Sequence, residues 1–309
     1  MSANSEEIAA LPVRAPAAPL TWQGRARALY ELGKPNLSLL VVVTSVLGYY
    51  LAAQGGPFDW AQLIYLATGT ALTAAGACGL NMYLERDLDA RMFRTRGRPI
   101  PSGRVAPDQA LAFAVVLFVW GWLQLLVFCG WYPALLSALT AGIYAFVYTP
   151  SKRWGPVSIW IGAIPGAIPP VMGWTTVTGE LGAGGLALFA ILATWQFPHF
   201  LSLAYMYQED YARAGFRFLP EGDEEGKKTG LQIALGCVVL LLVSLAPTAL
   251  GLAGQVYLVG AVVAGLGFLW AGIRVAQRCT LQRARGAFFA SITYLPALLA
   301  LLVLDRLLS

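Results

Sequence analysis

Charge is scarce in this chain of 309 residues: Asp, Glu, Lys and Arg together make up 12% of it, and histidine occurs once, as His199. Soluble domains carry about 25% charged residues, and a surface this poor in charge is not kept in water. Cysteine is sparse too. Cys78, Cys129, Cys237 and Cys279 stand singly, with no C-x-x-C pair and no histidine at zinc-site spacing. They read as small buried apolar residues rather than a disulfide framework or a metal cluster. Glycine shows no three-residue period, and ten Trp with fourteen Phe oppose a disordered composition, so fibre and disorder are excluded as well. What remains is 58% hydrophobic residues and a mean hydropathy of +0.63, the composition of an integral membrane protein. A net charge of +5 would suggest nucleic acid in a soluble protein. Here the position of the charges explains it without a nucleic-acid partner.

Residues 1–20 are Ala/Pro-rich and polar, without a 7–15-residue apolar core after a basic start, so the expectation is a polar amino-terminal tail over residues 1–33 without a cleavable signal. From residue 34 to 309 the expectation is a single membrane domain. Apolar stretches long enough to cross about 30 Å of hydrocarbon recur at 36–53, 61–83, 109–130, 133–148, 157–175, 185–206, 231–250, 257–273 and 288–304. The resulting fold class is an all-α bundle of nine transmembrane helices.

The distribution of Lys and Arg tests that count, because each span moves the next loop to the other side. Arg14, Arg25, Arg27 and Lys34 precede the first span; Arg86, Arg91, Arg94, Arg96, Arg98 and Arg104 follow the second; Lys152 and Arg153 follow the fourth. Arg213, Arg217, Lys227 and Lys228 follow the sixth, and Arg274, Arg278, Arg283 and Arg285 the eighth. Only Arg306, after the ninth, lies opposite. A wrong count would mix the sides, so the expected topology has a cytoplasmic amino terminus and an external carboxyl terminus.

The acids sort differently. Glu85, Asp87 and Asp89 lie just past the second span, and Glu209 and Asp210 just past the sixth. If helical geometry continues through Asn81-Met-Tyr-Leu-Glu85-Arg-Asp87-Leu-Asp89, then Asn81, Glu85 and Asp89 fall within an arc of about 80° and make one oxygen-rich face, with Asp87 pointing elsewhere. Such a row suits Mg2+, which takes one or two carboxylates and completes its shell with phosphate oxygens. The plain alternative is a solvated helix end neutralised by Arg86 and Arg91. The following stretch, Arg94-Thr-Arg96-Gly-Arg98-Pro-Ile-Pro-Ser-Gly103-Arg104, sets a loop of guanidinium groups beside the acids, and acids next to such a loop describe a metal–diphosphate site. Some of these arginines are equally suited to anionic lipid. Lys152 and Arg153 add positive charge on the same side, and Glu209 with Asp210 supply a second carboxylate pair for a metal. His199 lies inside the sixth span, eleven residues and about 16 Å from Asp210 on nearly the same helix face. It is either hydrogen-bonded into the bundle or a group for a substrate buried in the membrane.

These segments resemble the UbiA superfamily of intramembrane prenyltransferases. Residues 81–104, NMYLERDLDARMFRTRGRPIPSGR, are similar to its first aspartate-rich motif; YTPSKR at 148–153 and GAIPGAIPPVMGW at 162–174 are similar to its next segments. WQFPHF at 195–200 with EDYARAGFRFLP at 209–220 resembles its second motif, and Lys34-Pro35 its opening pair. The Pro-His-Phe and Asp-Tyr…Leu-Pro segments resemble those of the branch that farnesylates haem. One departure is Glu85, where the family has aspartate, which puts the geometry of that ligand in question.

The resemblance implies transfer of the farnesyl group of farnesyl diphosphate to a vinyl group of haem b, with addition of water, giving haem O for haem–copper oxidases. It implies Mg2+ as cofactor, held by Asn81, Glu85, Asp87, Asp89, Glu209 and Asp210, and diphosphate bound by Lys34, Arg94, Arg98, Lys152 and Arg153. Asn81, Glu85, Asp89, Asp210 and His199 would be catalytic, with His199 also touching haem. The implied setting is the inner (plasma) membrane with the site toward the cytoplasm, and haem A synthase as a candidate acceptor of the product. A sister enzyme acting on an aromatic acid, a quinone precursor or a chlorophyllide is the competing enzyme reading. A transporter using the acids as ion sites is the competing class, against which stand the clustering of acids on one side and the lack of an inverted repeat.

Overall fold

A chain whose apolar runs are as long as a bilayer is thick must satisfy its backbone hydrogen bonds within each run, and a helix does so. In the computed structural model, which describes residues 21–54, 56–223 and 225–308, every regular element is helical. In chain order these are α1 (Trp22–Leu32), α2 (Pro35–Ala52), α3 (Trp60–Leu84), α4 (Arg86–Asp89), α5 (Pro107–Phe128), α6 (Trp131–Gly142), α7 (Thr149–Ser151), α8 (Val157–Ala167), α9 (Pro169–Thr178) and α10 (Ala183–Met206). There follow α11 (Gln208–Arg213), α12 (Lys227–Val243), α13 (Ala246–Ala249), α14 (Gln255–Gln277) and α15 (Leu281–Leu308), and a π-helix over Ile143–Tyr148 joins α6 to α7.

Among the described residues nine segments are long and apolar enough to cross a membrane, and each overlaps one expected span. The fourth runs from α6 through the π-helix into α7, the fifth combines α8 with α9, and the seventh combines α12 with α13. The fifth is broken at Ile168, between Pro165 and the Pro169-Pro170 pair, because proline supplies no N–H to the helix ladder. The outward faces are apolar. On α5, Val116, Trp120 and Val127 are all more than 60% exposed, which suits lipid and no aqueous surface.

Two expectations are corrected. Residues 22–32, assigned to the polar tail, form α1: Thr21 Oγ1 accepts from Gly24 N, and Ala28 and Leu32 are buried against Met82, Ile100 and Val105. Glu31 ties this helix to Arg104 at 2.6 Å. The apolar residues recur at helical spacing, which the polar average of the segment hides. The part of the tail at 1–20 lies outside the described residues. The second correction concerns α3, which does not continue unbroken to Asp89. It ends at Leu84, and Glu85 (φ −94°, ψ 3°) joins it to α4.

Helices pack closely where glycines remove side chains. A Cβ on Gly173 of α9 would lie 1.8 Å from the Ser45 carbonyl oxygen of α2, and one on Gly48 would lie 2.0 Å from that of Pro170. Small residues at such crossings replace the hydrophobic driving force that lipid does not provide. Gly173→Ala is therefore expected to lower the thermal stability of the detergent-purified protein by about 1–3 kcal/mol. Gly142→Ala, where a Cβ meets nothing within 4 Å, is expected to leave it nearly unchanged.

Candidate active site

The break at Glu85 does not scatter the acidic row. Glu85 N donates to Asn81 O at 2.9 Å and Asp89 N to Glu85 O at 2.8 Å, so the four-residue ladder survives and all three side chains stay on one face. They are almost wholly buried, at 0%, 3% and 0% exposure for Asn81, Glu85 and Asp89. Two buried carboxylates on one face repel each other unless cations neutralise them, and each of the two has its own, while the neutral amide of Asn81 accepts from a third cation. Lys34 Nζ donates to Asn81 Oδ1 at 2.7 Å, Lys152 Nζ to Glu85 Oε1 at 2.5 Å, and Arg98 Nη1 to Asp89 Oδ2 at 2.6 Å. The three cations come from the start of α2, the residue after α7 and the loop after α4.

Lys34 is held there against its backbone preference. Its φ of 45° lies in the left-handed region, an arrangement that costs on the order of 1 kcal/mol for a side chain other than glycine. Burial, with Arg98 nearby, pulls its ammonium down to a pKa of about 8. Asp89 is shifted upward by burial, which Arg98 opposes, and its Oδ1 is buried without a hydrogen-bond partner.

All of these groups except Asn81 line a cavity of about 420 Å³. Lys34, Glu85, Asp89, Arg94, Arg98 and Lys152 form its charged part; Leu37, Val41, Ala74 and Ala77 form an apolar part along α2 and α3. Tyr144, Tyr148, Phe200, Tyr211, Phe216 and Phe218 supply an aromatic wall. That wall was not singled out in the sequence. Its signal was the four-residue spacing of Tyr144, Tyr148 and Lys152, which repeats a helix face. Tyr144 OH donates to Asn81 Oδ1 at 3.3 Å, and Thr149, also unmarked, accepts from Asn81 Nδ2 at 2.9 Å.

The remaining candidates separate. Asp87, Glu209 and Arg153 are exposed and do not line the cavity. Asp210 does not line it either. Its carboxylate accepts the backbone N–H groups of Phe93 (2.8 Å) and Arg94 (3.2 Å), latching α11 onto the basic loop. Arg94, positioned by this latch, donates to Tyr211 OH at 3.1 Å and lies over the rings of Tyr207 and Tyr211. Met92, Ala214 and Phe216 bury the seam between the two segments.

His199 does not share a continuous helix face with Asp210, because α10 ends at Met206 and Tyr207 (φ −118°, ψ 24°) turns the chain into α11. Gln196 and Phe200 on either side of it line the cavity, whereas His199 does not. Its ring is stacked between Trp195 and Phe288, with centroids 4.7 and 4.9 Å away. Ser291 Oγ donates to the Phe288 carbonyl at 2.5 Å and lies 2.7 Å from His199 Nδ1. Nε2 has no hydrogen-bond partner among the described residues.

A buried basic and acidic cluster opening on an apolar, aromatic-walled cavity between transmembrane helices suits an amphiphile with an anionic head. The model of the UbiA prenyltransferase family matches residues 41–293. This chain belongs to the UbiA prenyltransferase family. It is 43% identical over 284 residues to a protoheme IX farnesyltransferase of Solibacter usitatus, covering 89% of this chain and 97% of that one. It is 44% identical over 278 residues to a protein of the same name from Opitutus terrae, covering 90% and 94%. Among solved structures, that of a digeranylgeranylglyceryl phosphate synthase in membranes superposes with a TM-score of 0.75 at 16% identity, covering 91% of this chain and 98% of that one. A UbiA homologue of Archaeoglobus fulgidus bound to DMAPP and Mg2+ superposes with a TM-score of 0.60 at 13% identity, covering 91% and 99%. The prenyltransferase fold and the family membership thus agree with the site's architecture.

The Lys152–Glu85 pair lends itself to a stability test. Lys152→Met leaves Glu85 buried and unpaired and is expected to cost about 3 kcal/mol or more. The double variant Glu85→Gln/Lys152→Met removes both charges and is expected to recover most of that loss in thermal unfolding.

Proposed function

We propose that this chain transfers the farnesyl group of farnesyl diphosphate to a vinyl group of haem b and releases haem O and diphosphate. The observation that carries the reading is the joining of a buried, cation-rich cluster to an apolar cavity of about 420 Å³, in a chain more than 40% identical to the two protoheme IX farnesyltransferases above. Lys34, Arg94, Arg98 and Lys152 hold the diphosphate, and the aromatic and aliphatic walls hold the farnesyl chain. Arg153, exposed beside Lys152, adds to the positive rim.

Glu85 and Asp89, the two carboxylates that line the cavity, are hard oxygen donors and fit Mg2+, whereas Asn81, buried beside them, does not line the cavity and has its Oδ1 taken by Lys34 and Tyr144. Among the described residues no three Asp, Glu, His or Cys side chains form a metal cage by themselves, so the fit requires diphosphate oxygens to complete the shell. Bound there, Mg2+ supplies charge stabilisation to the leaving diphosphate. Asp87 and Glu209 are left as exposed carboxylates that do not line the cavity, and Asp210 acts by positioning the loop of Arg94.

The chemistry follows from this arrangement. The C1–O bond of farnesyl diphosphate breaks with its electron pair going to diphosphate, whose charge Arg94, Arg98, Lys34 and Lys152 offset. The aromatic wall stabilises the allylic cation through ring faces. The terminal vinyl carbon of haem b bonds to C1, the resulting cation on the inner vinyl carbon takes up water, and one proton leaves. His199, flanked on its helix by the cavity-lining Gln196 and Phe200, is assigned either to receive that proton or to ligate the haem iron. The bilayer is the setting, and the clustering of basic loops at one end of the bundle supports a site facing the cytoplasm of a cell inner membrane.

The test is haem extracted from membranes with and without the protein, separated by polarity and mass. The expected result is haem O only with the protein, loss of product with Asp89→Ala, and a farnesyl diphosphate KM raised at least about tenfold by Arg98→Ala with the haem KM little changed. His199→Ala is expected to abolish product; wild-type yield from it would remove His199 from the reaction. An unaltered haem profile with a folded wild-type protein would overturn the assignment of substrate.

A further inference from the structure

A second cavity, of about 560 Å³, lies between α14 and α15 and shares no lining residue with the first. Its floor is made of small residues such as Gly267, Ala271 and Gly286, and its rim carries Arg274, Arg278 and Arg283. We infer that this groove binds the headgroup of an anionic glycerophospholipid, with the acyl chains lying along the outward faces of the two helices. The inference is independent of the proposed reaction.

Charge complementarity identifies the occupant. Between Glu225 and Asp305 the sequence contains no acidic residue, although Arg274, Arg278, Arg283 and Arg285 all fall in that interval. No carboxylate pairs with any of the four among the described residues, in contrast to Arg98 and Arg104 of the basic loop, which bind Asp89 and Glu31. Orienting sidedness in a membrane requires the charges alone and no concavity. Here the charges are arranged around a cavity. Arg283 Nη1 donates to the Arg274 carbonyl at 2.7 Å, and the Arg274 guanidinium lies 4.8 Å over the Trp270 ring. Both side chains are thereby oriented, and α15 begins at this rim, adding the positive end of a 28-residue helix.

The surroundings select a lipid over free phosphate. Trp270 is 62% exposed, as an aromatic residue at a membrane interface is, and Leu266, Ile273 and Phe289 present further exposed apolar surface beside the groove. A soluble anion uses none of that surface; a phospholipid uses both parts.

The experiment measures lipid retained by the purified full-length protein after equilibration with mixed micelles of equimolar phosphatidylglycerol and phosphatidylcholine. Wild type is expected to retain phosphatidylglycerol preferentially. Each arginine near an anionic headgroup contributes about fivefold, so Arg274→Gln/Arg278→Gln is expected to reduce the preference by roughly 25-fold. Gly267→Leu fills the floor, where a Cβ meets nothing within 4 Å, and is expected to abolish the preference without removing a charge. Arg25→Gln/Arg96→Gln, which alters exposed arginines outside the groove, is expected to preserve it. No preference in wild type, an equal loss in the Arg25/Arg96 variant, an unchanged preference in Gly267→Leu, or complete displacement of the lipid by millimolar inorganic phosphate would each overturn the inference.

Discussion

Carboxylates at the end of a membrane-spanning helix are costly unless something of opposite charge meets them, and the site of this protein is organised around that constraint. Asn81, Glu85 and Asp89 are satisfied by Lys34, Lys152 and Arg98, each from a different segment. The consequence is structural as well as chemical. The start of α2, the end of α7 and the loop after α4 are all tied to one face of the α3–α4 corner. Asp210 extends the same device by accepting two backbone N–H groups of the basic loop, which brings α11 to the rim. Removing any one partner leaves a buried polar group unmatched, which is more damaging than removing both.

The irregular backbone follows the same logic. A membrane helix departs from ideal geometry only where freed backbone groups lie within protein or border a cavity. The π-helix over Ile143–Tyr148 and the proline-broken stretch from Pro165 to Pro170 both contribute to the cavity wall, through Tyr144, Tyr148, Pro165 and Gly166. Gly166 also shows why a side chain is missing there, since a Cβ would lie 2.1 Å from Gln196 Oε1. The interruptions create room for a substrate inside a bundle that is otherwise closed by glycine-mediated contacts.

The spans were legible because bilayer thickness imposes a length on every apolar run, and the alternation of Lys and Arg checks the parity. The acidic row was legible because a four-residue spacing survives even the break at Glu85. The cations were not assignable to individual partners, since Lys34 and Asn81 are 47 residues apart and Lys152 and Glu85 are 67 apart. Such pairings are products of tertiary packing. Helix α1 was hidden by the polar average of its segment, although Ala28 and Leu32 face inward. His199 was drawn onto the face of Asp210 by assuming an unbroken helix. The turn at Tyr207 and the serine on α15 are long-range outcomes that no local spacing reports.

At the centre of the proposed function are two carboxylates already paired with the protein's own cations, so that Mg2+ would join them only in company with diphosphate. Calorimetric titration of the purified protein with Mg2+, alone and in the presence of inorganic diphosphate, measures this directly. The account requires negligible heat and no saturation with Mg2+ alone, saturable binding once diphosphate is present, and loss of that binding in Asp89→Ala. Tight Mg2+ binding by the protein without diphosphate, unaltered when diphosphate is added, would contradict it.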